Sequence, residues 1–202
     1  NVKHHLANLI DFAIEYFKAL KTKYGKGKER KTEIRTFETI DATKVAVANT
    51  RFYIDRAEGF IGTSLKKDEF LFECSDIDDI IVFKSDGTMI VTKVDAKTFI
   101  GKGILHVAVW HKNDKRTIYN LIYRDGKNGP AYQKRFAVTG ITRDKEYDLT
   151  AGNKGSEVLY FTANPNGEAQ VVSVILKTHQ RIKKLKFDLD FADLTIKSRS
   201  SK

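Results

Sequence analysis

The sequence is poor in the residues that staple or interrupt a chain, with one cysteine, two prolines, one methionine and one tryptophan among 202 residues. A lone thiol, Cys74, excludes an internal disulfide and a cysteine-based zinc site, and it suits a reducing compartment. No apolar run reaches the ~18 residues of a membrane helix, and the first residues lack the apolar core of a signal peptide. Clustered catalytic chemistry is missing too. His106 and His111 lie five apart along a predicted strand and face opposite ways, while the adjacent His4 and His5 diverge on a helix. Asp76, Asp78 and Asp79 lack the ligand spacing of a calcium loop and read as a polar turn. Gly101-Lys102-Gly103 and Gly152-Asn153-Lys154-Gly155 lack the remainder of a phosphate loop and the helix that should follow it. No carboxylate pair or Ser/His/Asp set is marked by its surroundings. We therefore assign no catalytic residue and no metal ligand, and expect no cofactor in this chain.

What the chain has in quantity is apolar β-forming sequence and positive charge. A hydrophobic content of 41% with 11% aromatics predicts a folded chain. The net charge of +10 and a pI near 9.5 favour an anionic partner, nucleic acid ahead of a membrane surface. A basic surplus can also serve solubility alone, so clustering decides.

Residues 3–24 read as a helix, because Leu6, Leu9, Ile10, Ala13, Phe17, Leu20 and Tyr24 recur at spacings of three and four. Gly25 and Gly27 stop it. The charged stretch KGKERKTEIRTF (26–37) reads as a joint, giving two regions, 1–43 and 44–202. Beyond it the apolar period changes to two, and nine segments have strand composition. They are KVAVANTRFYI, EFLFECS, DDIIVFK, TMIVTKV, HVAVW, TIYNLIYR, AYQKRFAV, EVLYFTA and AQVVSVILK. Pro130 and Pro165 fall in turns.

Turn signals at Asp86-Gly87, Asp125-Gly126 and Asn166-Gly167 repeat about every 40 residues, each after an apolar strand, with a weaker first copy at 51–65. About four strands per unit at that period predict β-blades in a radial or solenoidal array, three to four of them. Basic residues follow the turns at Lys93 and Lys97, at Lys134 and Arg135, and at Arg143 and Lys145. Others sit in glycine-containing connections, at Lys66, Lys67, Lys102 and Lys154, and in the C-terminal stretch at Lys183, Lys184, Lys186 and Arg199. If blades are equivalent, these fourteen line one rim and bind phosphates without regard to sequence. On that reading, exchanging Lys134 and Arg135 for Glu weakens duplex binding.

These segments resemble the C-terminal part of the bacterial type IIA topoisomerase A subunit, of gyrase or topoisomerase IV. ERKTEI (29–34) resembles the segment that closes the breakage-reunion core. DDIIVFKSDGTMIVTKVDAKTFIGKGI (78–104) resembles the family's blade motif, and YQKRFAVTGI (132–141) the strand of the next blade. The resemblance implies an all-β, partial β-pinwheel, propeller-like with strands exchanged between blades, preceded by one N-terminal α-helix. It also implies a basic rim that binds and bends double-stranded DNA. Between Leu65 and Phe70 this chain has only KKDE where gyrase carries a Q-R-R-G-G-K-G box, which points to topoisomerase IV-like decatenation and relaxation. The family's cleaving tyrosine lies upstream of Asn1, so the fragment is expected to be inactive alone. ATP and Mg2+ would belong to the B-type subunit of the holoenzyme, and the full-length A subunit would be a homodimer in the cytoplasm, associated with the nucleoid. The absence of an initiating Met and the ending IKSRSSK suggest an excised piece. The competing reading is a propeller-like module for an acidic protein partner.

Overall fold

A computed structural model describes residue 6 and residues 8–28, 49–65, 68–177 and 183–199. The chain falls into two compact units, residues 1–44 and 45–202. In the first, α1 (Leu9–Tyr24) carries Asp11 in its first turn and Lys21 and Lys23 in its last, each sign suited to the helix dipole. Its end is closed by the Gly25 N–H, which donates to the Lys21 carbonyl at 2.8 Å. The apolar stripe read from the sequence is there, but none of the helix is buried, and Ile10 is 77% exposed. The expected helical start at residues 3–5 and residues 29–37 of the expected joint lie outside the described residues.

The second unit is mostly β, as expected, and is built of open sheets. The first sheet contains β1 (Thr50–Asp55), β2 (Phe60–Gly62), β3 (Glu69–Cys74) and β6 (Thr98–Phe99) in the order β3-β1-β2-β6. The second contains β4 (Asp79–Lys84), β5 (Thr88–Lys93), β7 (Ile104–Trp110) and β10 (Glu146–Asp148) in the order β10-β5-β4-β7. The third contains β8 (Ile118–Arg124), β9 (Ala131–Ala137), β11 (Glu157–Asn164) and β14 (Lys197–Ser198) in the order β11-β8-β9-β14. β12 (Val171–Ile175) and β13 (Lys186–Asp190) pair as a fourth. Each of the first three sheets is thus a hairpin flanked by an outer strand on one side and, on the other, a strand sent back from the next repeat. The pairings are antiparallel except β14 with β9, which is parallel.

Period-two sequence explains how the sheets stack. In β4, Ile80 and Val82 enter a core with Phe52, Ile54 and Ile61 of the first sheet, whereas Ile81 and Phe83 enter another with Tyr119, Leu121 and Phe136 of the third. Four consecutive fully buried residues in one strand are what a sheet covered on both faces requires. Trp110 seals the second core, donating from Nε1 to the Val138 carbonyl at 2.8 Å. Stacking stops at the first sheet, whose outer face leaves Phe70 51% and Phe99 64% exposed.

One repeat marker needs correction. Asn166-Gly167 does not close a hairpin; it links β11 of the third sheet to β12 of the fourth. The fourth hairpin is β12–β13, and the sequence reading did not recognise β13. A turn dipeptide specifies local backbone angles, whereas which strands pair after it depends on tertiary packing. Asp125-Gly126 opens a six-residue connection, with the Asp125 N–H donating to the Pro130 carbonyl at 3.0 Å, instead of a tight two-residue turn.

Candidate nucleic-acid interface

The exchanged strands decide where cations gather. Lys97 directly precedes β6 and Lys145 directly precedes β10, so both stand at the start of a returning strand. In each case an aromatic ring supports the ammonium. The Lys97 Nζ lies 4.1 Å from the Phe60 ring centroid and the Lys145 Nζ 5.5 Å from that of Tyr147. The Arg199 guanidinium stacks on the same Tyr147 ring at 3.7 Å. The Thr142 N–H donates to the Tyr147 hydroxyl at 2.7 Å, and this bond, with Arg199 nearby, holds the phenol below its ordinary range.

The hairpin ends fix the segments that follow. The Gly59 carbonyl accepts from the Ile100 N–H at 2.9 Å, and the Gly87 carbonyl accepts from the Leu149 N–H at 2.9 Å. After these bonds come the turns that carry Lys102 and Lys154, each flanked by glycines of positive φ. Lys102 and Lys154 therefore occupy corresponding connections, and both are exposed.

Other members of the expected rim are placed differently. Lys134 is a correction: it is 8% exposed, its Nζ donating to the Arg199 carbonyl at 2.6 Å and the Leu149 carbonyl at 3.2 Å. It faces the core because its register partner is Leu121, which points at the second sheet. Arg135, on the opposite face, is half-buried and donates to the Gly167 carbonyl at 2.7 Å. Lys134 and Arg135 are therefore not two neighbouring points on one rim. Arg143 lies 2.8 Å from Asp79, and Lys93 is exposed in register with that same Asp79. Lys183, Lys184 and Lys186 are exposed beside or in β13, whereas Lys66 and Lys67 lie outside the described residues.

The sequence reading missed a polarity of charge that simple counting reveals. Residues 49–103 carry 8 Lys/Arg against 10 Asp/Glu, whereas residues 104–202 carry 18 against 10. In the first sheet and its connections, Arg51 meets Glu73 at 3.4 Å, Arg56 meets Glu69 at 2.9 Å and Lys102 meets Glu58 at 3.8 Å. Lys84, also missed, is a structural cation with little exposed side chain. It holds Glu146 of the exchanged β10 at 2.6 Å and, with Thr88, keeps that carboxyl below its ordinary range.

The residues first considered for chemistry have structural roles. Asp78 accepts from the Ser75 N–H at 2.8 Å and Asp76 from the Ser75 hydroxyl at 3.1 Å, which makes this cluster a polar turn. His106 packs on Phe83 and Phe161, its protonation disfavoured by burial and by Arg56. Burial pushes the Cys74 thiol up to about 11. Among the described residues no helix is long and apolar enough to cross a membrane.

Repeated hairpin sheets knitted by returning strands, with cations at the returns and a basic second half, define a modular β-array suited to an anionic polymer. The model of the topoisomerase C-terminal domain of the Bacteroidota type matches residues 51–202, so the chain belongs to the bacterial topoisomerase C-terminal domain family. It is also 30% identical over 166 residues to the A subunit of DNA topoisomerase 4 from Borreliella burgdorferi. That match covers 82% of this chain but only 26% of the relative, so the chain spans about a quarter of the length of the curated relative it matches. The family resemblance read from the sequence is thereby established.

Proposed function

We propose that this chain binds duplex DNA through phosphate contacts, as the C-terminal domain of a topoisomerase IV-type A subunit. The observation that carries the proposal is a set of exposed cations on a family-defined scaffold: Lys93, Lys145, Lys154, Lys183, Lys184 and Lys186. Strand exchange between successive sheets supports reading the array as the blades of a β-pinwheel, along which a duplex is bent. In the whole protein this domain would hold a segment for ATP-dependent strand passage, with ATP and Mg2+ handled by a B-type subunit. The whole A subunit would form a homodimer. The relative carries the name of topoisomerase 4, and decatenation or relaxation is the activity proposed for the parent of this chain. A cytoplasmic, nucleoid-associated location follows from that role.

Titration of fluorescent random-sequence duplex at several salt concentrations tests the reading. Log K is expected to fall steeply and linearly with log salt, at about 0.9 per phosphate neutralised. Absence of duplex binding at low salt would reject it and favour a module for an acidic protein.

A further inference from the structure

We infer that the DNA-contacting surface is polarised, lying on the side of the array built by residues 104–202, with the first sheet outside the contact. This rests on the duplex-binding reading above and narrows it. Three observations carry it. First, the charge surplus of the β-array belongs wholly to residues 104–202, because residues 49–103 hold more acids than bases. Second, three of the described cations of the first sheet and its connections already have carboxylate partners. Arg51, Arg56 and Lys102 each face a glutamate, and Lys97 lies over Phe60. A phosphate approaching them would displace or repel Glu73, Glu69 and Glu58, so the net gain per contact is small. Third, although Arg124 meets Glu157 and Arg143 meets Asp79, six later cations have no carboxylate partner among the described residues. Lys145 and Arg199 share the Tyr147 ring, and Lys154, Lys183, Lys184 and Lys186 are exposed with no ion pair to a described residue.

The topology joins two of these later cations, Lys145 and Arg199, into one sector. β10 places Lys145 on the edge of the second sheet, and Arg199 follows β14 on the edge of the third. The Lys134 ammonium ties the two edges together, bonding Leu149 just after β10 and Arg199 just after β14. The contact therefore begins where the exchanged strand of the second sheet meets that of the third and continues towards β13. A duplex held only there is engaged by one flank of the array and is not wrapped round its full length.

The experiment compares two double charge reversals in the full 202-residue chain, after circular dichroism shows that both retain the parent's fold. Lys97→Glu with Lys102→Glu alters the first-sheet side, and Lys183→Glu with Lys184→Glu alters the other. Both are titrated with the same random-sequence duplex between about 50 and 200 mM salt. The first pair is expected to bind within about twofold of the parent chain, and the second to bind at least about tenfold more weakly with a shallower salt slope. Equal weakening by both pairs overturns the polarity while leaving duplex binding intact. Loss confined to the Lys97/Lys102 pair overturns it outright. A parent chain that does not bind duplex at all removes both readings together.

Discussion

At Lys134 positive charge and burial meet in one side chain. Its ammonium has left water for two carbonyls and the Phe136 ring, 5.3 Å away, so its charge knits strands together and is withdrawn from any ligand. Lys134→Met keeps most of the stem but leaves those acceptors short of a donor, at a cost of about 1–3 kcal/mol. Urea unfolding followed by Trp110 fluorescence should show this loss, with the exposed Lys93→Met within about 0.5 kcal/mol of the parent. Equal stabilities of the two variants would contradict the clasp. A Glu at position 134 would report on folding before it reported on DNA. His106 offers a second test. Because burial and Arg56 lower its pKa, the folded state binds fewer protons than the unfolded state once the pH drops below the ordinary value of 6.5. Stability is therefore full at neutral pH and declines on acidification through that range. Substituting His106→Leu is expected to flatten the stability profile between about pH 7 and 5. An unchanged slope would assign the acid sensitivity elsewhere.

Among the elements, the hairpin and the strand returned to it form the structural unit. Gly59 shows how closely the two approach. With φ +78°, a Cβ built there would lie 2.4 Å from the Gly101 carbonyl carbon and oxygen, which are backbone atoms that no rotamer change can move aside. Gly101 also has a positive φ, +97°, but open space where its own Cβ would be. Gly101→Ala should thus cost about 1 kcal/mol for its backbone angle alone. Gly59→Ala should cost about 2–3 kcal/mol, since the exchanged segment must also move. Thermal or urea melts of the two variants make the comparison, and equal losses would mean that the close approach is not maintained in solution. The strands themselves were largely readable: all nine predicted segments contain one, because alternating apolar residues reveal a covered face. Short members such as β2, β6, β10 and β14 were not. Two or three residues carry no period, and they become strands only because a neighbouring edge offers free N–H and C=O groups.

For the whole molecule, the distribution of charge matters more than its amount. A net +10 pointed to an anionic partner, yet an even rim of fourteen cations does not describe the fold. Lys134 is interior, Arg135 is committed to Gly167, Arg143 to Asp79, and Lys102 to Glu58. The salt dependence of duplex binding should accordingly report fewer phosphates than fourteen cations would neutralise, each lost contact lowering the slope by about 0.9. A slope matching all fourteen would restore the even rim.

Local and additive properties were legible in the residues alone: the alternation that makes strands, the glycines that permit turns, the basic surplus and the family motifs. Each of these is a property of a residue or of a short window, so no distant contact is needed to read it. Folding in three dimensions settled which hairpin each returning strand joins, that Asn166-Gly167 links two sheets, and that one lysine of the adjacent pair Lys134-Arg135 is buried. Pairing and burial depend on what lies across a strand, and in a fold knitted by exchange that neighbour comes from another repeat.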